Sequence, residues 1–136
     1  MATQLKRTLE PSPDGLIALA AEARSFLAEG GVSGEGSYKV QLALEEVIRN
    51  LLLHGSGSAT GLIDVALEVA GRRVDVCVED DGAPFDPRRA PPFDPSQPLE
   101  DRSGGGMGLA LLRLMMDEIR YERRGTRNCL HLVVAF

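Results

Sequence analysis

The chain has 136 residues, of which 43% are hydrophobic and 4% aromatic with no Trp, so one domain with a core of Leu, Val, Ile and Ala is expected. Twenty acidic against fifteen basic side chains give a net charge of −5, which argues against a general nucleic-acid binder, since that function needs a basic field to release counterions. MATQLKRTLEP has no apolar signal region and no apolar run approaches the ~20 residues of a membrane span, so a cytoplasmic chain that binds neither membrane nor nucleic acid is expected.

Residues 4–10 read as an opening strand, ended by Pro11 and Pro13. Ser12 or Asp14 can cap the helix predicted over 14–29, whose apolar face is Leu16, Leu19, Ala20, Ala23 and Leu27. Glycines between 30 and 36 break it, and a second helix is predicted over 35–54 with Val40, Leu44, Val47, Ile48 and Leu51 as its stripe. Residues 61–70 and 73–79 alternate as strands joined at Gly71-Arg72, the pattern of a hairpin. Cys77 and Cys129 lie in apolar strand-like runs without CxxC spacing and read as reduced core thiols.

From 83 to 103 periodicity stops, and six of the eight prolines fall there. So long an irregular segment inside a domain is usually a lid, a binding loop or disorder. Leu109, Leu112, Met116 and Ile119 are then spaced for a short helix, and strands over 119–124 and 129–136 flank Gly125-Thr126. The order implies an α+β two-layer sandwich over 1–136, a mostly antiparallel sheet with helices on one face and a lid at 83–103.

Three segments carry candidate chemistry. Glu46, Asn50 and His54 are each four apart and form one polar stripe on the second helix, while Glu45 faces solvent and pairs with Arg49. A carboxylate and a carboxamide one turn apart can hold a hard cation or place a base beside a hydroxyl, although an isolated ExxxN is most often a solvated helix face. Asp80 ends a strand with Gly82 two residues on, so it can accept a hydrogen bond from an exocyclic amine where a flat ring approaches the glycine backbone; an ordinary Asp-Gly turn is the plainer reading. Gly104, Gly105, Gly106 and Gly108 open a helix, where N–H groups and the helix dipole attract an anion. Neither GxxxxGK[ST] nor GxGxxG is met, because Leu109 stands at the last glycine position.

Taken in order, these segments resemble the ATP-binding domain of the GHKL superfamily, the Bergerat fold of gyrase B, histidine kinases and MutL, and most closely its bacterial anti-sigma-factor serine/threonine kinases. The resemblance covers nearly the whole chain. Its ExxxN motif falls on Glu46 and Asn50 and implies a general base and a Mg²⁺ ligand respectively. Its DxGxxF motif falls on Asp80, Gly82 and Phe85 and implies an adenine site. Its glycine-rich motif falls on Gly104, Gly106, Gly108 and Leu109, with Gly105 and Met107 between them, and implies phosphate contact. Gly125-Thr126 is similar to the family's GT pair, whose Thr supports the adenine pocket, but Arg127 and Asn128 follow where apolar residues are usual.

The resemblance implies a kinase that uses Mg-ATP to phosphorylate a Ser or Thr of a small STAS-type antagonist, with a sigma factor as second client and a homodimer as the assembly. The alternatives are a non-catalytic ATP-binding regulator, a histidine-kinase-like catalytic domain, and a plain interaction module without nucleotide. The second of these is the less expected, since the sequence shows no upstream dimerisation helix with a phosphoacceptor His.

Overall fold

Alternation of side chains along each strand decides how this molecule is layered. The computed structural model describes residues 3–54, 61–89 and 106–136. Five strands form one antiparallel sheet: β1 (Gln4–Leu9), β2 (Ile63–Ala70), β3 (Arg73–Asp80), β4 (Glu118–Arg124) and β5 (Arg127–Ala135), in the order β1-β2-β3-β5-β4. Every second residue of β3 (Val74, Val76, Val78) and of β5 (Leu130, Leu132, Val134) is buried under the helices α1 (Pro13–Glu29), α2 (Gly34–His54) and α3 (Gly106–Met115). A sheet with one covered and one open face is the α+β sandwich expected from the chain.

Local chemistry sets the element ends. Ser12 is extended, and its Oγ accepts the Gly15 N–H at 3.0 Å, so Ser12 rather than Asp14 caps α1, with Pro13 at the first helical position. The helix buries Leu19, Ala23, Phe26 and Leu27. On α2 the stripe Val40, Leu44, Val47 and Ile48 is buried, while Glu45 pairs with Arg49 on the outer side. The turns after β2 and β4 have two residues and begin at Gly71 and Gly125, whose φ values of 62° and 59° suit a glycine.

Two expectations are corrected. Ile119 belongs to β4, not to the helix before it. The Asp117 N–H donates to the Val133 carbonyl at 2.9 Å and its carboxylate accepts the Ala135 N–H at 2.7 Å, so sheet pairing takes over from the helical period. Cys77 and Cys129 are free but half-buried on the open face, not in the core, because β3 and β5 point them away from the helices. Of the expected lid, residues 83–89 end in a 3-10 turn at Pro87–Arg89, and residues 90–103 lie outside the described residues.

Candidate functional site

Among the described residues three polar side chains are buried: Asn50, Asp80 and Asn128, at 3%, 7% and 4% exposure. All three line one cleft between α2, the sheet and α3. Each breaks an apolar pattern at the point where its element reaches that cleft. Asp80 is the last residue of β3 on the helix-covered face, and Asn128 stands directly opposite it on β5. Between them and Asn50 the walls are apolar, with Val78 and Leu130 from the sheet, Leu109 from α3, and Phe85. The free volume is about 30 Å³, room for about one water, so a planar ring enters only as these walls part.

Asp80 is held as an acceptor. Its Oδ2 accepts the Gly82 N–H at 2.9 Å and the Asn128 amide at 3.2 Å. Asn128 Nδ2 also donates to the Ala83 carbonyl at 2.9 Å, while its Oδ1 accepts from the Tyr121 hydroxyl and from Arg123 Nη1. The Arg88 guanidinium bonds Asp86 at 2.8 and 3.0 Å and holds that carboxyl below the usual carboxylate range, which fixes the turn beside Phe85.

Asn50 faces the other end of the cleft. Its Nδ2 donates to the Glu46 carbonyl one turn earlier at 2.7 Å, whereas its Oδ1 is buried with no hydrogen-bond partner among the described residues. An orphaned amide oxygen stands at a loss of about 1–3 kcal/mol unless something binds there. A hard cation suits it, since Mg²⁺ takes neutral oxygen donors and completes its shell with phosphate oxygens. No group of three His, Cys, Asp or Glu able to hold a metal occurs among the described residues, so the residues fit a cation shared with a ligand's phosphates and not a protein-only cage.

Glu46 is packed against α3. A Cβ added to Gly108 would lie 1.8 Å from Glu46 Oε2, so the glycine leaves the space that this carboxylate occupies. Glu46 Oε1 also lies 3.4 Å from Arg49 Nη1.

Of the residues expected at a site, the structure brings Asn50, Asp80, Phe85 and Leu109 together in the cleft. It attaches Gly82 to Asp80 and sets Glu46 against Gly108. Gly106 starts α3, while Gly104, Gly105 and the side chains of Met107 and His54 lie outside the described residues. Thr126 is not brought to the cleft: it is exposed in the turn between β4 and β5, because the strand pairs from Arg127 onward, and Asn128 takes the place beside Asp80. Asn128, Tyr121 and Arg123 were not legible as site residues, although the polar Asn128 where an apolar strand residue is usual was a signal.

A broader depression of about 520 Å³ crosses the open face near Cys77, Cys129 and Arg120. Its charges are satisfied locally, Arg120 by Glu118, Arg124 by Glu122 and Glu79 by Arg127, so it offers no counterpart to the buried polar groups of the cleft.

Comparison with known proteins places this geometry. The profile of the histidine kinase-like ATPase domain matches residues 9–134. A serine-protein kinase RsbW of Bacillus licheniformis is 27% identical over 124 residues, covering 88% of this chain and 76% of the relative. An anti-sigma F factor of Clostridium novyi (strain NT) is 32% identical over 109 residues, covering 76% of this chain and 75% of the relative. In the crystal structure of the RsbU and RsbW domains of a Mycobacterium tuberculosis protein, the fold matches over 98% of this chain and 32% of that one, with TM-score 0.69 at 22% identity. The chain therefore belongs to the histidine kinase-like ATPase family and, within it, to the group that holds the anti-sigma-factor serine kinases.

Proposed function

We propose that this chain is an ATP-dependent protein kinase that transfers the γ-phosphoryl group to a Ser or Thr hydroxyl of a small STAS-type antagonist, and that it also binds a sigma factor, as a cytoplasmic homodimer. The supporting observation is the convergence of the buried polar residues Asn50, Asp80 and Asn128 on one apolar-walled cleft, with Glu46 beside the first turn of α3. The names of the relatives, a serine-protein kinase and an anti-sigma F factor, support a serine acceptor and a sigma-factor client.

Each residue has a distinct task in this reading. Asp80 accepts a hydrogen bond from the adenine amine, and Gly82 lets the ring approach the backbone. Val78, Leu130 and Leu109 exclude water from the ring faces. The buried Asn50 Oδ1 would hold a Mg²⁺ ion, whose charge would offset that of the triphosphate. The glycines from Gly104 to Gly108 supply backbone N–H groups to the same phosphates. Glu46 takes the proton of the acceptor hydroxyl as its oxygen bonds to the γ-phosphorus; the bridging bond to the β-phosphate oxygen breaks and ADP leaves.

Transfer of labelled phosphate from ATP to a candidate antagonist tests the proposal. Glu46→Gln is expected to lower transfer by about 10²–10⁴ with nucleotide affinity retained. Full transfer by that variant would remove Glu46 from its role. Nucleotide binding by the parent without transfer to any antagonist would leave a non-catalytic regulator.

A further inference from the structure

Arg123 differs from its neighbours on the same hairpin. Arg120, Arg124 and Arg127 each pair with a carboxylate, whereas among the described residues every partner of Arg123 is a neutral oxygen. Its Nη1 donates to the Gly82 carbonyl at 2.7 Å and to Asn128 Oδ1 at 3.1 Å, and its Nε to the Gly125 carbonyl at 3.2 Å. A strand arginine thus reaches over the cleft end of the sheet and grips both the turn after Asp80 and the amide beside it.

That grip has a polarity. A guanidinium can only donate, so the Asn128 atom facing it must be the oxygen. The Tyr121 hydroxyl touches the same oxygen, but a hydroxyl donates or accepts and alone would tolerate either orientation of the amide. With Oδ1 committed, Nδ2 faces Asp80 Oδ2 and the Ala83 carbonyl, two acceptors. A flipped amide would set oxygen against oxygen on one side and NH₂ against a cation on the other. Asp80 then meets donors from the protein and is left as an acceptor toward the cleft. An acceptor there matches an exocyclic amine and repels the carbonyl that hypoxanthine or guanine carries at the equivalent ring position.

We propose that Arg123 is a positioning residue that, through the Asn128 amide, restricts the cleft to 6-aminopurines, a specificity that rests on reading the cleft as an adenine site. Neither Arg123 nor Asn128 needs to touch the base for this. The device is the fixed sense of one amide.

The test compares Mg-ADP with Mg-IDP binding by calorimetry in the full chain. The parent is expected to prefer ADP by about 100-fold or more, as sites built around a hydrogen bond reject the analogue that cannot make it. Arg123→Gln, whose amide both donates and accepts, is expected to lower that ratio to about tenfold or less. Arg123→Lys, which only donates, should restore most of it. A purely structural arginine would weaken ADP and IDP equally, so an unchanged ratio in Arg123→Gln overturns the proposal. The Asn128 side-chain amide signal in nucleotide-free protein, assigned by its absence in Asn128→Asp, supplies a readout independent of the base. It should be protected from exchange in the parent and in Arg123→Lys, and unprotected in Arg123→Gln; equal protection in all three overturns the role of Arg123. A parent that binds both nucleotides equally would instead sink the adenine reading, while the amide signal still reports on the orienting contact.

Discussion

The two faces of the sheet share the same strands but follow opposite rules. On β3 the covered face is Val74, Val76, Val78 and then Asp80, while the open face is Arg73, Asp75, Cys77 and Glu79. Polar residues on the open face find partners along the same strand or across the sheet: Arg73 meets Asp75 at 3.0 Å, His131 meets Asp75 at 2.8 Å, and Arg127 meets Asp64 at 2.7 Å. On the covered face polar residues appear at the cleft end alone among β3 and β5, as the facing pair Asp80 and Asn128. Chemistry is therefore marked less by the presence of charge than by charge standing in the register of the core. A carboxylate that is ordinary on one face becomes, one position along, a group whose burial must be compensated.

The largest test of this contrast is mechanical. Leu132 and His131 are neighbours on β5 that point to opposite faces. Leu132→Ala is expected to lose about 2–5 kcal/mol of folding stability in denaturant melts, since it opens a void in the core. His131→Ala should change stability by about 1 kcal/mol or less, the scale of one half-buried hydrogen bond. Equal losses would mean that the open face is covered in solution.

Next comes nucleotide. Asp80→Asn removes the acceptor from the cleft and sets a second amide against Asn128, and Mg-ADP affinity is expected to fall about 100-fold or more. Asp75→Asn, the equivalent change on the open face, should leave affinity within about twofold, because its partners are Arg73 and His131 and not the cleft. Calorimetry on both variants decides the point, and a comparable loss in Asp75→Asn would erase the distinction between the faces.

A smaller effect is expected at Gly108, where stability and activity should separate. Glu46 Oε2 occupies the place of the missing Cβ, and the tip of a glutamate side chain moves easily. Gly108→Ala should therefore hold or raise stability, by up to about 1 kcal/mol from helix propensity. Displacing Glu46 should lower phosphate transfer about tenfold. Combined with Glu46→Gln, the alanine should lower transfer no further than Glu46→Gln does alone.

Much of the layering was legible because hydrophobic period reports it directly. Helix positions such as Leu44 and Ile48, and alternation such as Val74, Val76 and Val78, name the buried face without any tertiary knowledge. Asp80 was legible as a polar residue ending such an alternation. Asn128 and Arg123 were much less so, since their meaning depends on the pairing of β5 with both β3 and β4, a long-range register that no local pattern encodes. Arg123 reads as one charge in a run of charges until the sheet sets it beside Gly82. Thr126 misled for the same reason: a turn residue and a strand residue two positions on look alike until the hairpin is closed.

The smallest effect concerns the open face itself. Burial, followed by the Asp75 and Glu79 carboxylates, pushes the Cys77 thiol up from its ordinary value. Burial also raises Cys129, whose thiol donates to Glu79 Oε1 at 3.4 Å. A raised thiol holds less thiolate at neutral pH, and the thiolate is the form that reacts. Iodoacetamide should therefore modify both cysteines more slowly at pH 7.5 than it modifies an unstructured cysteine peptide. The rate should keep climbing about tenfold per pH unit beyond pH 8.5, where the peptide has begun to level off. Denaturant should abolish the difference. Faster reaction of either thiol than of the peptide at neutral pH would mean that this face activates a nucleophile, and the division between a reactive covered face and an inert open one would no longer hold.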